Sequence, residues 1–331
     1  MTAKPAILFM GTPQFAATAL LGLAEAGFNV TGVITRPDTS KGRSGVRTSS
    51  EVKIVADKHK IPVFQPTNKA ELTEMVEKTA PELMVVAAFG MIVPQEVLDI
   101  PKYGALNIHG SLLPKYRGAS PIAEAILNGD KETGITIMKM SLGMDEGPII
   151  RQYKLPIFSC HPEQSEGSRD SSVPQNDKEK CDTTATLTIK MAVLAAKAIV
   201  ETIPAWVAGE LKAVPQNNRE ATYCRKITKE DGHIDWDKPA EQIERVVRAY
   251  QPWPTAYTFV EGVRIKILKA TIVPPRHSRE GGNLELEDNH IYVGTGEGSL
   301  EILELQPEGK KPMSAKDFIN GNGQLNGAKL A

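Results

Sequence analysis

The sequence predicts an α/β chain in two parts: a doubly wound, mostly parallel sheet, then a small β-barrel. Three observations carry this. Strand-length apolar runs alternate with helix-length stretches through the first half, the pattern of βαβ units. One of those runs, residues 83–88 (LMVVAA), is continuously apolar, as a strand covered on both faces must be. Beyond Pro215 the pattern changes to short strands separated by Gly or Pro turns. A length of 331 residues also suits two cores rather than one.

The elements follow in order. Residues 6–10 are apolar and stop at Gly11, with Pro13 close behind, so they form a first strand. Residues 14–26 are rich in alanine and leucine and predict a helix that Gly27 ends. Residues 30–35 give the second strand. Thr48-x-x-Glu51 has the spacing of a capping box and predicts a helix through His59. A short strand at 62–64 and a helix over 69–79 come next. Strands at 83–88 and 106–109, a helix over 120–128 and a strand over 134–140 complete the alternation. The stretch 186–203 (TLTIKMAVLAAKAIVETI) predicts a long helix packed on the sheet, ended by Pro204. Residues 205–215 read as a linker, which sets the two domains at 1–204 and 216–331. In the second, residues 241–250 (EQIERVVRAY) predict a helix ended by Gln251-Pro-Trp-Pro. Strands are expected at 256–260, 263–270, 290–294 and 300–306.

Composition narrows the function classes. A hydrophobic content of 41% with 24% charge is ordinary for a soluble globular protein. No apolar run reaches the roughly 18 residues of a membrane-spanning helix, and the apolar stretch after Lys4 is too short for a secretory signal. The three cysteines, Cys160, Cys181 and Cys224, make no disulfide framework, so a reducing cytoplasm is the expected compartment. A net charge of −1 does not announce a nucleic-acid partner, and any such contact must come from local patches. Gly11-Thr-Pro is no dinucleotide fingerprint, because Pro13 removes an amide that a phosphate would use. A nicotinamide oxidoreductase therefore ranks low.

The chemistry concentrates in residues 105–118, ALNIHGSLLPKYRG. Asn107 and His109 stand two apart on a strand and so project from one face. An amide can hold a developing oxyanion, and an imidazole can polarise or move protons near neutral pH. Downstream, SLGMDEGPII at 141–150 offers Asp145 on a turn between Gly143 and Gly147. Amide, imidazole and carboxylate suffice for acyl transfer without a covalent intermediate. The ends of strands at 89–90, 107–110 and 143–145 gather at one edge of a doubly wound sheet, where ligands of such sheets bind.

NIHGSLLPKYRG followed by LGMDEGPI resembles the formyltransferase family that uses 10-formyltetrahydrofolate as donor. FMGTPQFA at 9–16, RPDTSKGRSG at 36–45 and ATYCRKITKEDGHIDW at 221–236 carry the same resemblance over nearly the whole chain. It implies a Rossmann-like catalytic domain, an OB-like second domain that binds tRNA, and a monomer. It further implies 10-formyltetrahydrofolate as co-substrate, no metal, and the α-amino group of methionine on initiator tRNA as acceptor. Asn107 would then donate to the tetrahedral oxyanion, and His109 would polarise the formyl oxygen or pass a proton to the folate nitrogen. Asp145 would orient His109 or a water and take up the amine proton. Phe89, Gly90 and Met91 would line the pterin pocket with Leu142 and Gly143 opposite. Residues 111–118 would close another side, with Ser111, Leu112, Leu113 and Pro114 against the folate. Arg36, Lys41, Arg43 and Arg47 form a basic loop that the resemblance sets against the tRNA acceptor end, with Arg43 reaching into the stem. Arg117 either holds a substrate carboxylate or phosphate or pairs with a local acid.

Two polar stretches interrupt the family pattern, 158–181 and 274–287, and read as insertions into surface loops. Cys160, His161 and Cys181 in the first have spacing unsuited to zinc. Acids and bases nearly balance from Ala213 onward, so a nucleic-acid surface there would need a local cluster. Arg225, Lys226 and Lys229 with Arg245 and Arg248 are the candidates. Two other readings stand beside transfer to tRNA. One is a folate-dependent formyltransferase acting on a sugar amine or another small amine. The other is a catalytically inactive tRNA- or folate-binding protein, against which the intact Asn107, His109 and Asp145 count.

Overall fold

The computed structural model describes residues 4–40, 47–159, 181–274 and 281–331. They divide into two compact units. The first holds the chain up to Pro121, then Glu132–Leu155 and Thr188–Cys224. In order its elements are β1 (Ile7–Gly11), α1 (Gln14–Glu25), β2 (Val30–Ile34), β3 (Thr39–Ser40), β4 (Arg47–Thr48), α2 (Glu51–Lys58) and β5 (Val63–Phe64). Then come α3 (Lys69–Thr79), β6 (Leu83–Ala87), α4 (Gln95–Leu98), β7 (Ala105–His109) and β8 (Arg117–Gly118). After α5 (Pro121–Leu127), most of which belongs to the second unit, follow β9 (Glu132–Lys139), β10 (Ile149–Pro156), α6 (Thr184–Val207) and β11 (Tyr223–Cys224).

Seven strands make one sheet in the order β10-β9-β7-β6-β1-β2-β5. The pairs from β7 through to β5 are parallel, and β9 runs antiparallel to β7. The chain moves outward from β1 through β2 to β5, then returns to the other side of β1 as β6. This reversal opens a crevice beyond the carboxyl ends of β1 and β6, the usual ligand position in such sheets. Thr12 Oγ1 joins its two lips, donating to the Phe89 carbonyl at 3.4 Å. β1 and β6 are buried at every position, which is why their sequences are continuously apolar. Each large apolar side chain so buried contributes about 1.5–3 kcal/mol.

Helix boundaries depart from the sequence reading at two places. Ser50, not Thr48, caps α2: its Oγ accepts from Lys53 N at 3.1 Å, while Thr48 lies in β4. A cap must immediately precede the first helical residue, and Thr48 stands two positions early. Nor does Pro204 end α6, which continues to Val207. Its last turn is held by Trp206 Nε1, which donates to the Tyr103 carbonyl at 2.9 Å. The stretch after it is also tied down. Val214 and Ile149 exchange both bonds of an antiparallel bridge, at 2.7 and 2.8 Å.

The second unit holds Ile122–Lys131, Pro156–Leu187 and Arg225–Ala331. Its elements continue as α7 (Ala240–Ala249), β12 (Tyr257–Val260), β13 (Val263–Val273), β14 (Leu284–Glu287), β15 (His290–Gly294), β16 (Ser299–Pro307), β17 (Met313–Ser314) and α8 (Ala315–Asn322). The strands form an antiparallel sheet in the order β12-β13-β16-β15-β14, with β17 on β16. Residues 327–331 lie between its two edges. Gly327 N donates to Leu284 O and Leu330 N to Gly282 O, whereas Ala331 and Phe259 exchange bonds at 2.9 Å. The sheet thereby curls into a small barrel without an open edge strand, which removes a site of wrong pairing. Ile243 and Val247 of α7 pack into its core beside Trp236, Ile265, Ile267 and Ile302.

β14 corrects the sequence reading of 274–287 as wholly an interrupting loop. Leu284–Glu287 pairs with β15 through a two-residue turn, Asp288-Asn289, both at positive φ (46° and 70°). That is the backbone a tight hairpin turn demands, and Asp and Asn tolerate it best after Gly. The expected basic cluster also resolves differently. Arg248 is buried and doubly hydrogen-bonded to Glu244, at 2.6 and 2.9 Å, and Arg225 is clamped on Asp231. Cys181 is disulfide-bonded, one bond where the sequence reading expects no disulfide framework, and Cys224 is free and buried. Cys160, His161, Lys41 and Arg43 lie outside the described residues.

Candidate active site

The site is built on β7, an inner strand of the first unit's sheet between β9 and β6. Val86 of β6 pairs with Asn107 on one side, and Thr136 of β9 pairs with His109 on the other. The period of two places both side chains on one face, and a single carboxylate meets them there. Asp145 comes from the loop between β9 and β10 with a left-handed backbone, φ +53°, which Asp adopts more readily than most residues. Its Oδ1 accepts from Asn107 Nδ2 at 3.3 Å and lies 3.5 Å from His109 Nδ1. Its Oδ2 accepts from Gly118 N at 2.9 Å.

His109 is almost fully buried, and its Nε2 lies 2.9 Å from the Tyr116 carbonyl. A carbonyl only accepts, so Nε2 carries a hydrogen, and Nδ1 is the nitrogen that faces Asp145. The amide of Asn107 has two hydrogens. One is spent on Asp145, and the second is free to meet a negative oxygen. The three side chains named from sequence therefore converge.

β8 and the residue just before it supply the two backbone groups that orient them, the Gly118 amide and the Tyr116 carbonyl. It pairs with β11 so closely that Gly118 admits no side chain. A Cβ there would stand 2.1 Å from the Cys224 carbonyl, and φ is +120°. Arg117 between them is 1% exposed and points inward. Its Nη1 donates to Tyr223 Oη at 3.1 Å and its Nη2 to Asn218 Oδ1 at 2.7 Å. Nε and Nη2 both reach Gln216 Oε1, at 3.1 and 2.9 Å, and Glu146 stands 3.6 Å away. Of the two roles open to Arg117, the structure gives local pairing.

The folate-pocket candidates divide. Phe89 is buried in the core with Met10, Ile34 and Val93, and Met91 packs against the same cluster. Gly90 presents its carbonyl to the Arg36 guanidinium, so the first residue of the basic loop is hydrogen-bonded beside the pocket. Ser111 and Leu113 face inward. Ser111 Oγ donates to Lys115 O at 2.6 Å, and Thr136 Oγ1 bridges Leu113 N and Ser111 O. Leu112 and Pro114 are half-buried, and Leu142 is exposed beside Gly143. A cleft of about 470 Å³, lined by Leu98, Ala105, Lys139, Met140, Ser141 and Trp206 among others, opens at the amino end of β7, and none of the folate-pocket candidates lines it.

The root of the basic loop is fixed by side chains. Gln65 Nε2 donates to Arg36 O at 2.8 Å and to Asp38 Oδ1 at 2.9 Å, and Lys53 Nζ reaches Asp38 Oδ2 at 2.8 Å. The hydrogen bonds from Lys53 and Gln65 hold the Asp38 carboxyl below its ordinary value. Arg47 stands exposed on β4.

Sequence reasoning holds Tyr116 and Gly118 only as part of the closing stretch 111–118, because they act through backbone atoms, which carry no residue signature. It misses Gln216, which follows the linker reading of 205–215 and falls to the second domain. Among the described residues no group of three or more His, Cys, Asp or Glu is arranged to hold a metal.

Residues 3–179 match the family model described as formyl transferase, and residues 226–323 match formyl transferase, C-terminal domain. A methionyl-tRNA formyltransferase of Pseudoalteromonas translucida is 39% identical over 97% of this chain and 95% of its own. Another of that name, from Halalkalibacterium halodurans, is 42% identical over 96% of this chain and 95% of its own. Among solved structures, WlaRD, a sugar 3N-formyl transferase in the presence of dTDP and 5-N-formyl-THF, superposes with a TM-score of 0.63. It is 20% identical, over 93% of this chain and all of its own, which shows the shared fold. On two family models in series and relatives near 40% identity over their full length, the chain belongs to the formyl transferase family, among the methionyl-tRNA formyltransferases.

Proposed function

We infer that this chain transfers the formyl group of 10-formyltetrahydrofolate to the α-amino group of methionyl initiator tRNA. The observation that carries the reading is the convergence of Asn107 and His109 on Asp145 in a chain of this family. An α-amine has a pKa of about 8, so much of it is already neutral at working pH and needs no strong base. Positioning is the larger task. The amine attacks the formyl carbon, and the free amide hydrogen of Asn107 meets the tetrahedral oxyanion. His109, its ring fixed by the Tyr116 carbonyl, acts through Nδ1: carrying a proton received by way of Asp145, it polarises the formyl oxygen or passes that proton to the departing folate nitrogen. Asp145 takes up the amine proton directly or through water.

The donor lies against Phe89, Gly90 and Met91 on one side and Leu142 and Gly143 on the other, with the 111–114 turn behind it. Gly90 and Gly143 bring backbone close to a flat heterocycle, and the apolar neighbours wall it. The acceptor end of the tRNA meets the basic loop through Arg36, Lys41, Arg43 and Arg47. The protein works as a cytoplasmic monomer. No helix of the described residues is long and apolar enough to cross a membrane, which agrees with that.

Labelled formyl transfer from 10-formyltetrahydrofolate to methionyl initiator tRNA tests the reading, with methionyl elongator tRNA as control. The wild type formylates the initiator, and Asn107→Ala loses on the order of 100- to 1000-fold in kcat, as removal of one oxyanion donor does. Absence of transfer to tRNA, with transfer to a small sugar amine in its place, overturns the acceptor.

A further inference from the structure

We propose that Gln216 is a positioning residue for this reaction: it sets Asp145 by holding the backbone of its loop. The proposal rests on the formyl-transfer reading for its kinetic test but not for its structural one. The amide of Gln216 is used completely. Its Nε2 donates to the Asp145 carbonyl and to the Gly147 carbonyl, each at 2.7 Å. Its Oε1 accepts from Nε and Nη2 of Arg117. Two hydrogens and two lone pairs are all that a side-chain amide has.

The two carbonyls flank Glu146 on the turn that raises Asp145 over β7. The Asp145 side chain is held by Asn107 and the Gly118 amide, but Gly143 and Gly147 both widen the choice of backbone in its turn. Gln216 closes that freedom from outside the loop. It is itself anchored twice: Arg117 is buried, and Val214, two residues before, is bridged to Ile149 at the start of β10. The circuit then returns to the site. Arg117 neighbours Tyr116 and Gly118, whose carbonyl and amide orient His109 and Asp145. One side chain from the segment after α6 thus ties the carboxylate's backbone to the strand that orients the carboxylate and the imidazole. Misplacement of a catalytic group by about 1 Å can cost about 100-fold in rate.

Gln216→Glu is the sharp test. It keeps size and keeps an acceptor for Arg117, but it sets a carboxylate oxygen against two carbonyls where two N–H groups had been. Gln216→Met, which brings no charge, is the companion should the first variant fold poorly. Thermal unfolding identifies the folded variant. In it, kcat for formyl transfer falls about 10- to 100-fold while KM for each substrate stays within about threefold, the signature of a lost transition-state geometry. The second readout needs no turnover. The ring ¹⁵N signals of His109, one of six histidines and assigned by comparison with His109→Asn, move in the variant because Asp145 has moved. A folded variant with wild-type kcat, or with a raised KM alone, overturns the proposal, as do unmoved His109 signals. A wild type that transfers no formyl group overturns the transfer reading and leaves the histidine signals to decide on Gln216.

Discussion

Two aspartates of this chain, Asp145 in the first unit and Asp231 in the second, are both held by several donors, yet they are fitted for opposite tasks. Asp231 is met by a charge. Both of its oxygens face the Arg225 guanidinium, and Thr228 adds its amide at 2.6 Å and its hydroxyl at 3.2 Å. With the Arg225 hydrogen bonds leading, its pKa is lowered to about 2. Asp145 is met instead by a backbone amide, a side-chain amide and an imidazole. Those groups fix its direction and leave the imidazole beside it to exchange a proton. A guanidinium partner holds Asp231 as an anion, whereas the amides of Gly118 and Asn107 fix the direction of Asp145 toward an imidazole. The first unit places its buried arginine one step back, on Gln216 and so on the loop backbone, where it adds rigidity without consuming the carboxylate.

The largest effect tests that contrast directly. Asp145→Asn keeps volume but replaces one acceptor oxygen with a donor, which must then face the Gly118 amide or the shared position with Asn107 and His109. Single-turnover formyl transfer falls by about 100-fold or more, the range for loss of a positioned acid-base group. A rate within about threefold of wild type would make Asp145 a loop acid no different in kind from Asp231. Gly118→Ala comes next. The added Cβ meets the Cys224 carbonyl, so β8 must leave β11 and carry the Gly118 amide off Asp145. We expect a loss of about 3 kcal/mol in stability together with a fall in kcat, read by chemical unfolding and turnover on the same sample. Lost stability with unchanged kcat would separate the amide from the site.

How much of this was legible in the sequence follows from what kind of atom does the work. Asn107 and His109 could be paired from the strand period alone, and Asp145 stood out between two glycines. The alternation of buried strands was equally plain, because β1 and β6 are covered on both faces. What stayed hidden depends on long-range contact. Arg117 looks like a ligand-binding arginine in a glycine-rich turn, and only the arrival of Gln216, Asn218 and Tyr223 some hundred residues later makes it internal. Ser50 and Thr48 differ as caps by two positions, a choice the local string leaves open. Pro204 suggests a helix end, but a bond from Trp206 to Tyr103 carries α6 past it. Residues 284–287 fall inside the stretch that reads as an insertion, and the Asp288-Asn289 turn is the one local sign that a hairpin resumes there.

The smallest effect lies with Asp231 itself, and its sign is fixed by the lowered pKa. An unfolded aspartate titrates near 3.9, so a folded value of about 2 adds stability that is present above about pH 4 and lost as pH falls through about 2. Arg225 is mostly exposed, with 68% of its side chain accessible, so solvent screens much of the attraction. Asp231→Asn should therefore lower stability by only about 0.5 kcal/mol at neutral pH. Followed by thermal unfolding from pH 6 down to pH 3, the gap between wild type and variant narrows, and added salt narrows it at neutral pH as well. A gap that added salt left unchanged at neutral pH would mean that the Thr228 bonds, rather than the charge of Arg225, hold this aspartate. The distinction drawn between it and Asp145 would then rest on geometry alone.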